Sequence, residues 1–267
     1  MKPSEILLLL TIFSGLVCLI QQIVKRRRQS LMGTPGRGAA SRFYNKVVEI
    51  SESFFPVLLL VLLLRSFAVE AFRIPSGSMQ PTLLEGDFIL VNKYCYGLKV
   101  PVLGYTLWKI GSPERGDVVV FSRGRKDMIK RVVGLPGDRI RYEDKVLYVN
   151  DKPMLQVFKD DVLQVPTQWQ GWPFRLHVEH LGAKSHDILL RMDQNISQSK
   201  MVYPYQSVIV PEGSYYVLGD NRDNSLDSRY LGFVHASSIQ GRAFAIFTSI
   251  DWANHALRWN RLFTGIS

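Results

Sequence analysis

Two serines, Ser76 and Ser78, flank a glycine within RIPSGSMQPTLLEGD, the stretch Arg73–Asp87. Pro75, Gly77 and Pro81 argue for a turn or extended loop there. A small hydroxyl on constrained backbone is how a nucleophile or an oxyanion donor is presented. The same residues also read as a linker, so chemistry requires a base and groups that orient it. Lys130 is the candidate base, in Met128-Ile129-Lys130-Arg131-Val132-Val133. On a strand, Lys130 shares a face with Met128 and Val132, while Ile129, Arg131 and Val133 share the other. Whichever face is buried takes a cation inward, and a lysine desolvated among apolar groups has its pKa pushed down. Neutral lysine is a usable general base for a serine hydroxyl. An ordinary Lys-Arg pair on a solvent face is the alternative. A third stretch, Gly219–Arg229 (GDNRDNSLDSR), is dense in short polar side chains able to orient a neighbour: Asp220, Asn221, Asp223, Asn224, Ser225 and Asp227. It also reads as a polar hairpin loop. A calcium loop of the EF-hand type is excluded, because its glycine and closing glutamate are missing.

These stretches need elements to hold them. The chain has 267 residues and 46% hydrophobic content, enough for a sizeable core. Its net charge of +10 is concentrated in one place. Lys25, Arg26, Arg27, Arg28, Arg37, Arg42 and Lys46 supply seven positive charges with no acidic residue between them, leaving +3 for the remainder. This is the charge pattern of a cytoplasmic loop between membrane segments, and no nucleic-acid partner is expected. The uncharged run Ile6–Val24 is long enough to span a bilayer. The basic cluster follows it, which favours an uncleaved anchor over a signal peptide. The expected organisation is a first transmembrane segment at 1–24, a basic cytoplasmic loop at 25–53 with a flexible Gly/Ser/Ala stretch at 30–41, and a second transmembrane segment at 54–72. Arg65 must snorkel or pair in that second segment. An extracytoplasmic domain then occupies 73–267. Cys18 and Cys95 are not expected to meet, and no metal site is read from them.

From Phe88 onward, short apolar runs separated by Gly/Pro/Asp turns predict an antiparallel barrel or sandwich. The expected strands are Phe88–Val91, Val118–Phe121, Met128–Val133, Ile140–Tyr142, Val146–Val149, Val208–Val210, Tyr215–Leu218 and Ala243–Phe247. A polar segment at 151–205, carrying Trp169, Trp172 and His186, reads as an insertion with few strands before Ile188–Leu190. His177-Val178-Glu179-His180 lacks the HExxH spacing and is read as solvated surface histidines, not a zinc site. The fold class is therefore mainly β: two N-terminal transmembrane helices, then an antiparallel β domain with a smaller inserted β-rich subdomain.

In order and spacing, Arg73–Asp87, Arg115–Phe121, Lys130–Asp138 (KRVVGLPGD) and Gly219–Arg229 resemble the sequence boxes of type I signal peptidases (leader peptidases). The two-span arrangement resembles that of the Gram-negative members. The resemblance implies a membrane-bound serine endopeptidase in the inner membrane, multi-pass, with its catalytic domain on the periplasmic side. Its partners would be membrane lipid and the signal peptides of secretory preproteins, cut after small-x-small motifs, and no cofactor is implied. It implies Ser78 as nucleophile, Lys130 as base and Ser76 as side-chain oxyanion donor beside the Ser78 N–H. Ser225 would orient the Lys130 amine, and Asp227 and Arg229, with Arg131, would brace the loop. Substrate side chains would enter shallow pockets lined by Phe72, Ile74, Pro75, Met79, Leu83, Ile89, Val120, Met128 and Ile129. Met128 departs from the aromatic often found at that position. Trp252, Trp259, Leu262 and Phe263 suit either the lipid interface or core packing.

Two other readings remain. A Ser–Lys self-cleaving protease of the repressor type shares the dyad logic, but the anchors and the lack of a DNA-binding segment oppose it. A non-catalytic anchored β domain that binds signal peptides or translocation partners would need neither Ser78 nor Lys130. A penicillin-binding Ser-x-x-Lys arrangement is excluded, because Pro81 stands three residues after Ser78.

Overall fold

A computed structural model describes residues 3–29, 39–67, 69–99, 106–162, 173–192 and 207–266. The chain divides into two compact units, Met1–Val69 with Leu98–Leu107, and Glu70–Gly97 with Trp108–Ser267. In the first unit, helix α1 (Pro3–Gln29) packs on helix α2 (Ala39–Phe67). Small residues permit the approach. Ser14 Oγ donates to the Ser51 carbonyl at 2.9 Å, and a Cβ added at Gly15 would lie 2.9 Å from the Phe55 ring.

The first helix carries the expected apolar span and the second differs from expectation. Among the described residues only α1 holds a stretch long and apolar enough to cross a membrane, the 20 residues Ile6–Lys25. In α2 the turns before the apolar run at Phe54 carry Lys46, Glu49 and Glu52. The expected second span at 54–72 is helical to Phe67 and then becomes strand from Val69. Much of the expected loop at 25–53 is helix. Residues 30–38 of the Gly/Ser/Ala stretch, Trp169, Trp172 and the Arg65 side chain lie outside the described residues.

The strands run in order as β1 (Val69–Arg73), β2 (Asp87–Asn92), β3 (Gly97–Lys99), β4 (Thr106–Lys109), β5 (Val118–Arg123) and β6 (Lys126–Gly134). There follow β7 (Arg139–Glu143), β8 (Val146–Val149), β9 (Lys152–Pro153), β10 (Gln156–Val162), β11 (Phe174–Leu181) and β12 (Lys184–Arg191). The last are β13 (Val208–Ile209), β14 (Ser214–Leu218), β15 (Val234–His235), β16 (Ile239–Asp251), β17 (Ala256–Leu257) and β18 (Thr264–Gly265), with a one-turn helix α3 (Ser228–Leu231) before β15. The main sheet has the order β1-β2-β16-β5-β6-β14-β15, with β17 and β18 also pairing on β16. Smaller sheets are β13-β7-β8-β9, β10-β11-β12 and β3-β4.

Local chemistry sets the hairpins. Arg123 pairs with Lys126 across a two-residue turn that begins with Gly124 at φ +61°. β7 and β8 join through Asp144 and Lys145, both at positive φ, as a tight hairpin turn of matching twist demands. Two apolar clusters fill the body of the main sheet: one around Ile74, Met79, Leu83, Ile89 and Val120, the other around Val119, Phe121, Val132 and Val217.

The expected β domain is present, and each predicted run coincides with a strand. The segment 151–205 is β-rich as the fold class expects, but its strands begin earlier than Ile188: β10, β11 and β12 form a three-stranded antiparallel sheet. Its histidines are not all solvated. His186 is buried, and Glu179 of the HVEH stretch is fully enclosed. His177 is half-buried, edge-on to the Phe158 ring at 5.7 Å. The cause is packing of this sheet against the 219–224 loop, whose Arg222 reaches Glu179. Cys18 and Cys95 are both free thiols.

Candidate active site

Ser78 lies in a single 3-10 turn, Gly77–Met79, that follows extended backbone at Ser76 (φ −145°, ψ 156°). A helix cannot form here: the prolines at 75 and 81 remove donors on both sides. The turn is held from the far end of the chain. The Asn221 N–H donates to the Ser78 carbonyl at 3.2 Å, and Asn221 Nδ2 donates to the Gly77 carbonyl at 3.1 Å.

Lys130 sits mid-strand on β6, and its amine is 2.6 Å from Ser78 Oγ and 2.8 Å from the Ile129 carbonyl, donating to each. The residue is only 3% exposed. Burial pushes its pKa down to about 8; Asp227 and Asp220 pull upward and Arg229 pulls downward, both more weakly. The neighbouring Arg131, 1% exposed, enters the other face of the strand. It grips Asp220 in two-point fashion, Nε to Oδ1 at 2.9 Å and Nη2 to Oδ2 at 2.8 Å, and donates to the Gly116 carbonyl at 2.8 Å. Both faces of this strand therefore bury a cation, which alternation alone does not predict.

Asp227 caps helix α3 and receives Arg229 Nε at 2.9 Å and Nη2 at 2.8 Å, together with the Gly219 N–H at 3.1 Å. Burial raises both the Asp220 and Asp227 carboxyls, but Arg131 and Arg229 respectively outweigh it and hold them below the usual range. Gly219 is obligatory: an added Cβ would lie 2.2 Å from Ser225 Oγ and 2.4 Å from the Ser78 carbonyl oxygen. The expected hydrogen bond from Ser225 to the Lys130 amine is not formed. Ser225 Oγ is buried without a hydrogen-bond partner; it lies near Asp227 and helps hold that carboxyl low, at a geometry short of a formed bond.

Ser76, Gly77, Ser78, Lys130 and Met128 line one cavity of about 240 Å³. Glu85, Asn224 and Leu226 complete its wall. Among the residues expected to form substrate pockets, only Met128 faces this cavity. Ile74, Met79, Leu83, Ile89 and Val120 are closed core, at most 2% exposed, with Phe72 and Ile129 packed against them. Pro75 is exposed. They belong to inward faces of the sheet and of the turn before it, which apolar type alone cannot separate from a pocket wall. Glu85 and Leu226 were signalled only by membership of the two long motifs. Among the described residues no group of His, Cys, Asp and Glu is placed to hold a metal ion.

A family profile described as "Signal peptidase, peptidase S26" matches residues 47–248, most of the chain. The chain belongs to this family of signal peptidases, which are serine endopeptidases. Among curated relatives, it is 46% identical over 217 residues to the Signal peptidase I of Pseudomonas aeruginosa and 45% identical over 217 residues to that of Pseudomonas fluorescens. Each alignment covers 76% of this chain and 73% of the relative. The Signal peptidase I of Haemophilus influenzae is 33% identical over 98% of this chain and 91% of its own length.

Proposed function

We propose that this chain is a membrane-anchored endopeptidase that removes signal peptides from exported preproteins with a Ser78–Lys130 dyad. The observation that carries the reading is the 2.6 Å contact between Lys130 Nζ and Ser78 Oγ, at a buried amine with its pKa near 8. Neutral Lys130 donates one N–H to the Ile129 carbonyl and accepts the Ser78 proton on its lone pair as Oγ attacks the scissile carbonyl. The oxyanion that develops is met by the Ser76 hydroxyl and the Ser78 N–H. The ammonium then protonates the departing amine, leaving an ester on Ser78. Water, deprotonated by Lys130, hydrolyses that ester and restores the enzyme.

The open cavity of about 240 Å³ beside Ser78 and Lys130 is where substrate side chains enter in this reading, and the small-x-small preference rests on the family resemblance. Met128 and Leu226 are its apolar wall in this reading, and the closed cluster around Ile74, Met79, Leu83, Ile89 and Val120 is the rigid backing. Asp227, Arg229 and Arg131 brace the dyad, and Ser225 offers a hydroxyl able to receive the Lys130 amine when it turns toward the leaving group. Anchoring is assigned to α1, with α2 as a second membrane segment and the β domain on the periplasmic side. The exposed Trp252, Trp259 and Phe263 are lipid-facing in this scheme.

The test incubates a preprotein with Ser78→Ala and Lys130→Arg variants in detergent. Arginine keeps the charge and does not deprotonate in proteins. Loss of cleavage in both is the expected result, and full activity in either removes the dyad.

A further inference from the structure

The β11–β12 hairpin, part of the inserted segment, contributes no group to the chemistry proposed above, yet it touches the two backbone segments that hold Lys130 and Ser78. From β12, the Leu189 N–H donates to the Asp220 carbonyl at 2.9 Å and the Arg191 N–H to Asp223 Oδ2 at 2.8 Å. Beneath these, Glu179 of β11 is fully buried and receives Arg222 through both guanidinium nitrogens, Nη1 at 2.7 Å. At its turn end, Lys184 donates to Asp117 Oδ1 at 2.9 Å. Next to these contacts Arg131 is anchored on the Gly116 carbonyl and on the Asp220 carboxylate. Asn221, between Asp220 and Arg222, holds the Ser78 turn.

We propose that this hairpin positions the dyad, with Glu179 as the principal positioning residue, acting through Arg222 on the 219–224 loop. The proposal rests on the Ser78–Lys130 reading. Burial raises the Glu179 carboxyl, but Arg222 outweighs it and keeps it ionised. Tyr142, beside Arg222, stays protonated because burial pushes its pKa up to about 12, and His186 stands 3.5 Å from Glu179 and 3.7 Å from Asp220. Burial pushes the His186 pKa down to about 4, so it adds no charge at neutral pH and the two carboxylates stay committed to Arg222 and Arg131. Losing the Glu179 charge leaves Arg222 buried and unpaired. The loop then shifts, and Ser78 and the Lys130 environment shift with it. A looser loop admits water to the amine, which raises its pKa.

The test uses the full chain in detergent with a preprotein substrate, comparing wild type, Glu179→Gln, Glu179→Asp, Arg222→Gln and Lys130→Met, with folded fraction followed by circular dichroism. Glu179→Gln should lower kcat by about ten-fold or more near neutral pH, change KM by less than about two-fold, and recover partly above about pH 9 as the rising limb moves upward. Glu179→Asp, which keeps the charge and shortens the reach, should fall between the two. The Glu179→Gln/Arg222→Gln double variant should be no worse than the poorer single variant. Folded Glu179→Gln with the wild-type kcat and limb overturns the proposal whatever its melting temperature, and so does a loss confined to KM. If Glu179→Gln fails to fold, Lys184→Ala, at a partly exposed site, replaces it: a smaller upward shift of the limb supports the proposal and an unmoved limb overturns it. An active Lys130→Met would sink the dyad itself, whereas an inactive Lys130→Met beside an unaffected Glu179→Gln sinks only the positioning role.

Discussion

Lys130 stands 2.6 Å from Ser78 although both nearby carboxylates, Asp220 and Asp227, are already held by arginines. That commitment is what leaves the amine without an ion-pair partner. A free carboxylate beside Lys130 would hold it as ammonium, which is no base.

Unpairing Asp227 should therefore weaken the base. In Arg229→Gln the carboxylate turns its field on the amine, the Lys130 pKa rises above about 8, and the rising limb of cleavage against pH moves to higher pH. Removing one partner of a buried pair also costs roughly 3–5 kcal/mol. Chemical denaturation and the pH profile read the two effects separately.

Gly219→Ala adds a methyl where no space exists, against Ser225 Oγ and the Ser78 carbonyl. Overpacking of this kind costs about 1–3 kcal/mol. Because one of the atoms displaced belongs to the nucleophile's own residue, kcat should fall by about ten-fold or more, with KM little changed. Steady-state kinetics on the folded variant checks it.

Burying Lys130 costs stability, and the sign follows from the pKa. Its value is about 8 in the folded protein against an ordinary 10.5. Between those pH values the unfolded chain binds more protons, so this group's contribution rises with pH, and below about 8 the full penalty applies. At about 1.4 kcal/mol per pH unit the penalty at neutral pH is on the order of 3 kcal/mol. Lost hydrogen bonds to Ile129 and Ser78 offset about half of it. Lys130→Met should be more stable than the wild type by ~1–2 kcal/mol at pH 7. Denaturant melts should show that advantage gone by about pH 9, where the remaining penalty equals the lost hydrogen bonds, and reversed above about pH 10.5.

Much of this was legible in the sequence for definite reasons. The β-rich body announces itself because its runs, such as Val118–Phe121 and Val146–Val149, are short, β-branched and bounded by turn residues. Ser78 and Lys130 are readable because each sits in an unusual local context. The inserted sheet is harder. FRLHVEHL of β11 does alternate, but its polar positions include Glu179, whose burial depends on Arg222, 43 residues away. The burial of Arg131 beside Lys130 depends likewise on Asp220, 89 residues along. Local pattern cannot supply such a partner. The apolar run starting at Phe54 does not reveal that the helix carrying it begins at Ala39, in mixed polar sequence.

The central claim is that Lys130 acts as the base in its neutral form, brought within reach by a pKa lowered to about 8. The pH dependence of kcat/KM for signal-peptide cleavage tests it most directly. That parameter reports ionisations of the free enzyme. The arrangement around Ser78 predicts a rising limb with an apparent pKa of about 8, abolished with activity in Lys130→Arg. A limb at the ordinary lysine value of 10.5, or a wild-type profile retained in Lys130→Arg, would contradict it.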